Sequence, residues 1–145
     1  MSVGYQVGEM LGTKIRTEAA MGAAIHNEEL PASALIEIVR LIAGSDSPRD
    51  WSSIAQRIVS RATWNRALKS PKSKLSNPVA DRTERVATLF DQAVEVWGDA
   101  DLAREFVVSH QAVLGGAPLD LTADATVGAR RSAALLNQID HGIVV

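Results

Sequence analysis

Six apolar residues between positions 86 and 97 constrain the fold of this chain more than any other feature. They recur at i, i+3, i+4, i+7, i+8 and i+11: Val86, Leu89, Phe90, Ala93, Val94 and Trp97. This spacing places them on one face of an α-helix of about four turns, which Gly98 is expected to end. No run of alternating β-branched residues is long enough to predict a strand. We therefore predict an all-α protein.

Apolar stripes before this long helix predict three shorter helices. The first begins after Pro31 and ends before Gly44, since proline and glycine interrupt helices. Asp50 is expected to cap the second helix, because a side-chain oxygen there can accept a free backbone N–H. The third helix passes through Trp64 and ends by Pro71.

The segment after the long helix is also predicted to be helical, with one interruption. Asp99 is expected to cap a short helix. The stretch Leu114–Leu119 predicts a turn, because its adjacent glycines permit positive φ and Pro118 fixes the exit. A final helix is expected from Thr126 to Asp140. It should bury Ala129, Ala133, Leu136 and Ile139.

Composition excludes several kinds of functional site. The chain has 145 residues, of which 46 % are hydrophobic and 22 % charged, as in an ordinary soluble protein. The absence of cysteine excludes disulfides, thiol catalysis and cysteine-bound zinc, and the three histidines are far apart in sequence. No segment is apolar enough to cross a membrane or resembles a secretory signal. We expect a cytoplasmic protein without metal, cofactor or membrane contact.

Charge is distributed unevenly along the chain. Residues 51–80 contain no Asp or Glu, so this window carries +6 while the rest of the chain carries −8. Its cations are Arg57, Arg61, Arg66, Lys69, Lys72 and Lys74. A basic stretch in an acidic protein suits contact with nucleic-acid phosphates. It equally suits a solvated face, or pairing with acidic residues elsewhere in the fold.

Residues 54–66 resemble a helix-turn-helix. A small residue, Ala55, stands where two helices would cross, Val59 would fill the corner, and Ser60 would cap the second helix. The candidates for contact with bases or phosphates are Ser60, Arg61, Thr63, Trp64, Arg66, Lys69, Lys72 and Lys74. The glycine that usually precedes the Val-Ser pair of such a turn is absent. A helical hairpin with a purely structural role fits the same residues.

No residue pattern indicates catalysis. His110 and His141 suit surface or capping positions, and the three tryptophans suit core or interface contacts. No nucleophile–base pair and no phosphate-binding glycine loop is apparent. The apolar tail, Ile143–Val145, follows the helix-ending Gly142. This tail either packs on the core of its own chain or inserts into a groove of a partner.

The C-terminal third resembles a known family. The residues that carry the resemblance fall in the family's order and near its spacing: Val96-Trp97-Gly98-Asp99, Ala103-Arg104, Leu114-Gly115-Gly116-Ala117-Pro118-Leu119, Gly128, Leu135-Leu136, Ile139 and Gly142. With them the chain resembles the toxin-binding domain of the Xre/MbcA/ParS antitoxins, whose cognate toxins carry a RES domain. Asp81-Arg82 and Arg85 resemble the segment that precedes this domain, and the helix-turn-helix lies where such antitoxins carry their Xre-like part.

This resemblance implies a binding protein rather than an enzyme. RES toxins deplete NAD, and their antitoxins neutralise them by covering the entrance of the active site. By position, the toxin contacts would come from the glycine turn, the last helix and the tail: Gly115, Gly116, Pro118, Leu119, Arg130, Arg131, Gln138, Gly142, Ile143, Val144 and Val145. Antitoxins of this family usually dimerise, and the complex represses its own operon. The resemblance therefore also implies a homodimer within a hetero-oligomeric complex that binds operator DNA.

Together these features predict three regions. Residues 1–30 form a partly helical N-terminal extension, residues 31–90 an Xre-like helix-turn-helix region, and residues 91–145 a small helical toxin-binding domain with its tail. The leading hypothesis is an antitoxin that neutralises a RES-domain toxin and regulates its own operon. The alternative is a stand-alone helix-turn-helix transcriptional regulator whose C-terminal half serves for dimerisation.

Overall fold

A computed structural model describes residues 30–142, and every regular element in this range is an α-helix. The helices are α1 (Ala32–Ala43), α2 (Pro48–Ala55), α3 (Arg61–Lys69), α4 (Asn77–Trp97), α5 (Ala100–Val108), α6 (Pro118–Asp124) and α7 (Thr126–Asp140). The all-α prediction is confirmed for the described residues. The predictions for residues 1–29 and for the tail lie outside them.

Helix α4 is the centre of the molecule. Helices α1, α5, α6 and α7 pack against it, while α2 and α3 pack against α1. From Val86 to Val94 the predicted apolar stripe forms the inner face of α4, where Val86, Phe90 and Ala93 are fully buried, whereas Trp97 at its end is 37 % exposed. Gly98 ends the helix as predicted, with a φ of 72° that glycine adopts without strain. The buried side chains of all seven helices form one cluster, and no helix within residues 30–142 is long and apolar enough to cross a membrane.

Two helix starts differ from the predictions. Ser47, not Asp50, caps α2: its hydroxyl oxygen accepts the N–H of Asp50, which lies inside the first turn. The predicted turn over Leu114–Leu119 is shorter than expected, because Pro118 begins helix α6. Both helices have proline at the first helical position, where the missing N–H has no cost. The cap predicted at Asp99 is confirmed.

Helix α7 turns a different face to the core than predicted. Of the four expected positions only Leu136 is buried, while the other three are half-buried. The residues buried there are Gly128, Ser132, Leu135 and Leu136. A Cβ added at Gly128 would lie 2.0 Å from the carbonyl oxygen of Leu121 on α6. Glycine therefore permits a close approach of the two helices, and this contact sets the rotation of α7.

Three arginines connect helix ends across the fold. They are Arg82 and Arg85 on α4 and Arg104 on α5. Their acceptors are backbone carbonyl oxygens: Ile58 for Arg82 at 3.0 Å, Thr122 and Ala123 for Arg85 at 2.9 Å each, and Leu41 for Arg104 at 2.7 Å. The Leu41, Thr122 and Ala123 carbonyls lie in the last turns of α1 and α6, where they have no partner within the helix, while Ile58 lies in the turn between α2 and α3. The guanidinium groups satisfy these carbonyls and hold neighbouring elements together.

Candidate binding surfaces

Five of the six cations in residues 51–80 are exposed, and none of the five forms an ion pair or side-chain hydrogen bond within the described part of the chain. We call these five the basic face: Arg61, Arg66, Lys69, Lys72 and Lys74. Arg61, Arg66 and Lys69 lie on α3, and the two remaining lysines lie in the loop after it. Since no partner among residues 30–142 neutralises them, these charges are available to an anionic ligand.

The sixth cation, Arg57, is used inside the fold. Its guanidinium donates to both carboxylate oxygens of Asp120, at 2.8 and 2.9 Å, and to the carbonyl oxygen of Val108 at 3.0 Å. Pairing with an acidic residue elsewhere, one of the three interpretations of the basic window, therefore accounts for this position. Together with Arg82, Arg85 and Arg104, Arg57 forms what we call the arginine seam.

The turn between α2 and α3 has the predicted local packing. Ala55 and Val59 are 0 % and 4 % exposed, so both residues assigned to the inside of the turn are buried. Ser60 caps α3, as its Oγ accepts the N–H of Thr63 at 3.1 Å. The Ser60 hydroxyl also donates to Oγ1 of Thr63 at 3.0 Å. Ser60 is therefore engaged at the start of the helix, while the hydroxyl proton of Thr63 stays available.

Trp64 does not belong to the basic face. Its side chain is 3 % exposed and lies in the core with Ala67, three residues further along α3. Trp64 and Ala67 form the inward side of α3, whereas Arg61 and Leu68 lie at the edges of that side and are exposed. Of the predicted nucleic-acid contacts, the structure thus brings the five cations, Ser60 and Thr63 to the surface and excludes the tryptophan.

A second surface is formed by the turn between α5 and α6 and the exposed side of α7. We call it the C-terminal face. The turn is closed by hydrogen bonds from the N–H of Gln111 to the Gly116 carbonyl at 3.0 Å and from the N–H of Gly115 to the Gln111 carbonyl at 2.9 Å. Gly115 has a φ of 76°, in the left-handed region that favours glycine. Arg131 of α7 donates to two carbonyl oxygens of this turn, at 3.2 and 3.5 Å.

The predicted toxin contacts divide between this surface and the core. The exposed ones are Gly115, Arg130, Arg131, Gln138 and Gly142, and Gly116 is half-buried. Pro118 is buried, and Leu119 is 0 % exposed, so the side chains of both support the turn from below. Ile143, Val144 and Val145 lie outside the described residues.

Two apolar residues of the C-terminal face were missed by sequence reasoning. Val113 is 57 % exposed and Val127 is 61 % exposed, the highest values among the exposed large hydrophobic residues that the structure describes. Val127 lies one helical turn before Arg130 and Arg131, so the three share one side of α7. Val127 lies two positions before Ala129, which the sequence pattern placed inward, so helical spacing already directs Val127 outward and could have identified it.

The described residues contain no group of three or more His, Cys, Asp or Glu side chains that could hold a metal ion. His110 is exposed, and His141 caps α7 with its Nδ1 2.8 Å from the Asn137 carbonyl oxygen, so the surface and capping positions are confirmed. The chain matches no family model and no curated protein sequence with which it was compared.

Proposed function

We propose that this protein is an antitoxin that binds a RES-domain toxin and blocks the active site at which the toxin degrades NAD. The observation that carries the proposal is the C-terminal face, where the exposed Val113 and Val127 adjoin Arg130 on a turn and helix tied together by Arg131. The resemblance to the Xre/MbcA/ParS antitoxins assigns toxin contact to this same turn and helix. The exposed residues and the family resemblance therefore favour the same surface.

Neutralisation of this kind needs shape rather than chemistry. A few apolar anchors that become buried supply most of the energy of an interface, and Val113 and Val127 are suited to that role. The turn is already fixed by its internal hydrogen bonds, so it loses little conformational entropy when it enters a cleft. Arg130 has no partner within residues 30–142 and is free to pair with an acidic group at the rim, which mainly accelerates association.

A substitution at the centre of the C-terminal face tests the proposal. Val127→Asp places a charge where the interface would be dry, and it should weaken toxin binding by roughly thirtyfold or more, the effect of losing a binding hot spot of about 2 kcal/mol. Leu68→Asp is the matched control, because Leu68 is an exposed apolar residue of α3, 44 % exposed. The measurement is titration calorimetry against the purified toxin. Equal binding by the two variants would contradict the proposal.

Removal of the tail separates the antitoxin from the stand-alone regulator. A chain that lacks Ile143–Val145 should keep its helical circular dichroism and lose most of its neutralisation, because the tail is proposed to enter the toxin's cleft. A regulator whose C-terminal half serves only for dimerisation would be indifferent to the same deletion in a DNA-binding assay. Full neutralisation by the shortened chain would refute insertion of the tail.

Nucleic-acid binding is the second candidate function, and the basic face favours it. Five exposed cations without a partner in the described part of the chain lie on α3 and the loop that follows, in a window without a single acidic residue. A helix that follows a short turn and carries exposed cations suits the major groove, with the loop lysines on flanking phosphates. The proposed role is repression of the protein's own operon by a homodimer within the toxin complex, with each subunit bound to one operator half-site.

A further inference from the structure

A small cleft of about 60 Å³ lies between α3 and the loop that leads to α4. Its lining includes two cations of the basic face, Arg66 and Lys74, and no acidic side chain. Thr63 and Ser76 also line it. The Thr63 hydroxyl accepts a hydrogen bond from Ser60 and keeps its own proton, and the Ser76 hydroxyl makes no capping bond to α4. The cleft therefore presents two positive charges and two hydroxyl donors to one small space.

Both walls of the cleft are held in place by the fold. The start of α1 donates hydrogen bonds to the loop, from Ala32 to the Ser73 carbonyl and from Ser33 to the Pro71 carbonyl, each at 2.8 Å. On the other side, Trp64 anchors α3 in the core. Because the two walls are fixed without a ligand, an anion that binds between them does not have to order the loop.

We propose that this cleft binds a single phosphate group, which belongs either to a nucleic-acid strand or to free phosphate or a small phosphate ester. A guanidinium offers paired N–H donors that match two phosphate oxygens, and a lysine adds a compact charge. The hydroxyl groups donate to the remaining oxygens. The cleft is small, so it suits one oxyanion rather than a whole nucleotide. The inference deepens the nucleic-acid candidate and rests on that candidate only for the source of the phosphate.

Inorganic phosphate is the direct probe of the cleft in the full chain. Amide NMR spectra are recorded during a phosphate titration in which sodium chloride holds the ionic strength constant. Saturable shifts are expected at Thr63, Lys74 and Ser76. The double variant Arg66→Gln with Lys74→Gln should weaken this binding at least about tenfold, since it removes two charge-assisted contacts.

The matched control is Arg61→Gln with Lys72→Gln, which removes one arginine and one lysine of the basic face outside the cleft lining. Phosphate affinity should stay within about twofold of the unmodified protein, because screened surface charges contribute little at a distance. Absence of saturable shifts, or equal loss in the two double variants, would overturn the proposal.

Duplex DNA separates the possible sources of the phosphate. If DNA displaces phosphate from the cleft, and the cleft variant loses more DNA affinity than its control, the site holds a backbone phosphate. If phosphate binds but DNA does not displace it, the cleft serves a free phosphate or ester and the proposal stands. The nucleic-acid candidate then fails only if DNA has no measurable affinity for the protein. If DNA binds but added phosphate causes no shift of the amide signals of the cleft residues, the proposal is overturned while the nucleic-acid candidate stands.

Discussion

The arginine seam and the basic face carry the same charge but use it differently. Arg57 and Arg61 lie on either side of one turn. Arg57 donates three hydrogen bonds inside the fold, two to Asp120 and one to the Val108 carbonyl, whereas Arg61 is exposed without a partner in the described residues. Charge alone does not reveal whether a cation stabilises the fold or is free for a ligand. The partners of the cation decide it.

This difference has an energetic consequence. Removal of a seam arginine leaves carbonyl oxygens without their donors, and for Arg57 and Arg104 it also leaves a carboxylate without its donor. Unsatisfied groups of this kind destabilise a fold. Removal of a basic-face cation leaves no described polar group without its donor, because water hydrates the exposed surface around it. We therefore expect substitutions in the seam to lower the free energy of unfolding, and substitutions in the basic face to change binding alone.

The largest effect is expected where α3 meets the core. Trp64→Ala removes a side chain that is 3 % exposed, and it should lower the free energy of unfolding by roughly 3–5 kcal/mol, as other buried aromatic truncations do. Urea unfolding followed by circular dichroism gives the value. Leu68→Ala on the same helix is the control and should change stability by no more than about 0.5 kcal/mol. Similar values for the two variants would contradict the orientation of α3.

An intermediate effect on stability is expected for Arg57, and none for Arg61, the two arginines on either side of the turn between α2 and α3. Arg57→Leu should lower the free energy of unfolding by roughly 1–3 kcal/mol, because it removes charge-assisted hydrogen bonds and leaves Asp120 unpaired. Arg61→Leu removes the same side chain four positions away and should be neutral within about 0.5 kcal/mol. A comparison of the two urea midpoints tests the distinction between seam and basic face. The distinction is contradicted if both variants unfold at the same urea concentration.

The smallest effect on stability is expected for the basic face itself. Arg61→Ala combined with Arg66→Ala should unfold like the unmodified protein, yet it should weaken operator binding and lower the salt slope by about one per lost phosphate contact. Fluorescence anisotropy with labelled operator DNA, measured over a range of salt concentrations, gives both quantities. If the unmodified protein has no measurable affinity at low salt, the basic face does not bind DNA.

The elements predicted correctly are those fixed by neighbours in sequence. The buried stripe from Val86 to Val94, the end at Gly98 and the cap at Asp99 each depend on a few adjacent residues. Helix α6 was missed because Pro118 is equally suited to leave a turn and to begin a helix. The local pattern contained no information to separate these two roles.

The features that sequence reasoning missed depend on contacts between distant residues. Arg57 and Asp120 are 63 positions apart, so no local pattern could remove Arg57 from the basic window. The rotation of α7 depends on the close approach of Gly128 to Leu121. The candidate toxin contacts came from family resemblance, and packing then assigned Pro118 and Leu119 a supporting position beneath the turn.

The most direct test of the proposed antitoxin function is cellular NAD during co-expression with the neighbouring open reading frame. We expect NAD to fall when the neighbour is expressed alone, and to be maintained when this protein is expressed with it. The two chains should then copurify, and Val127→Asp should abolish both the protection and the complex. No complex, together with NAD levels that this protein leaves unchanged, would contradict the antitoxin function.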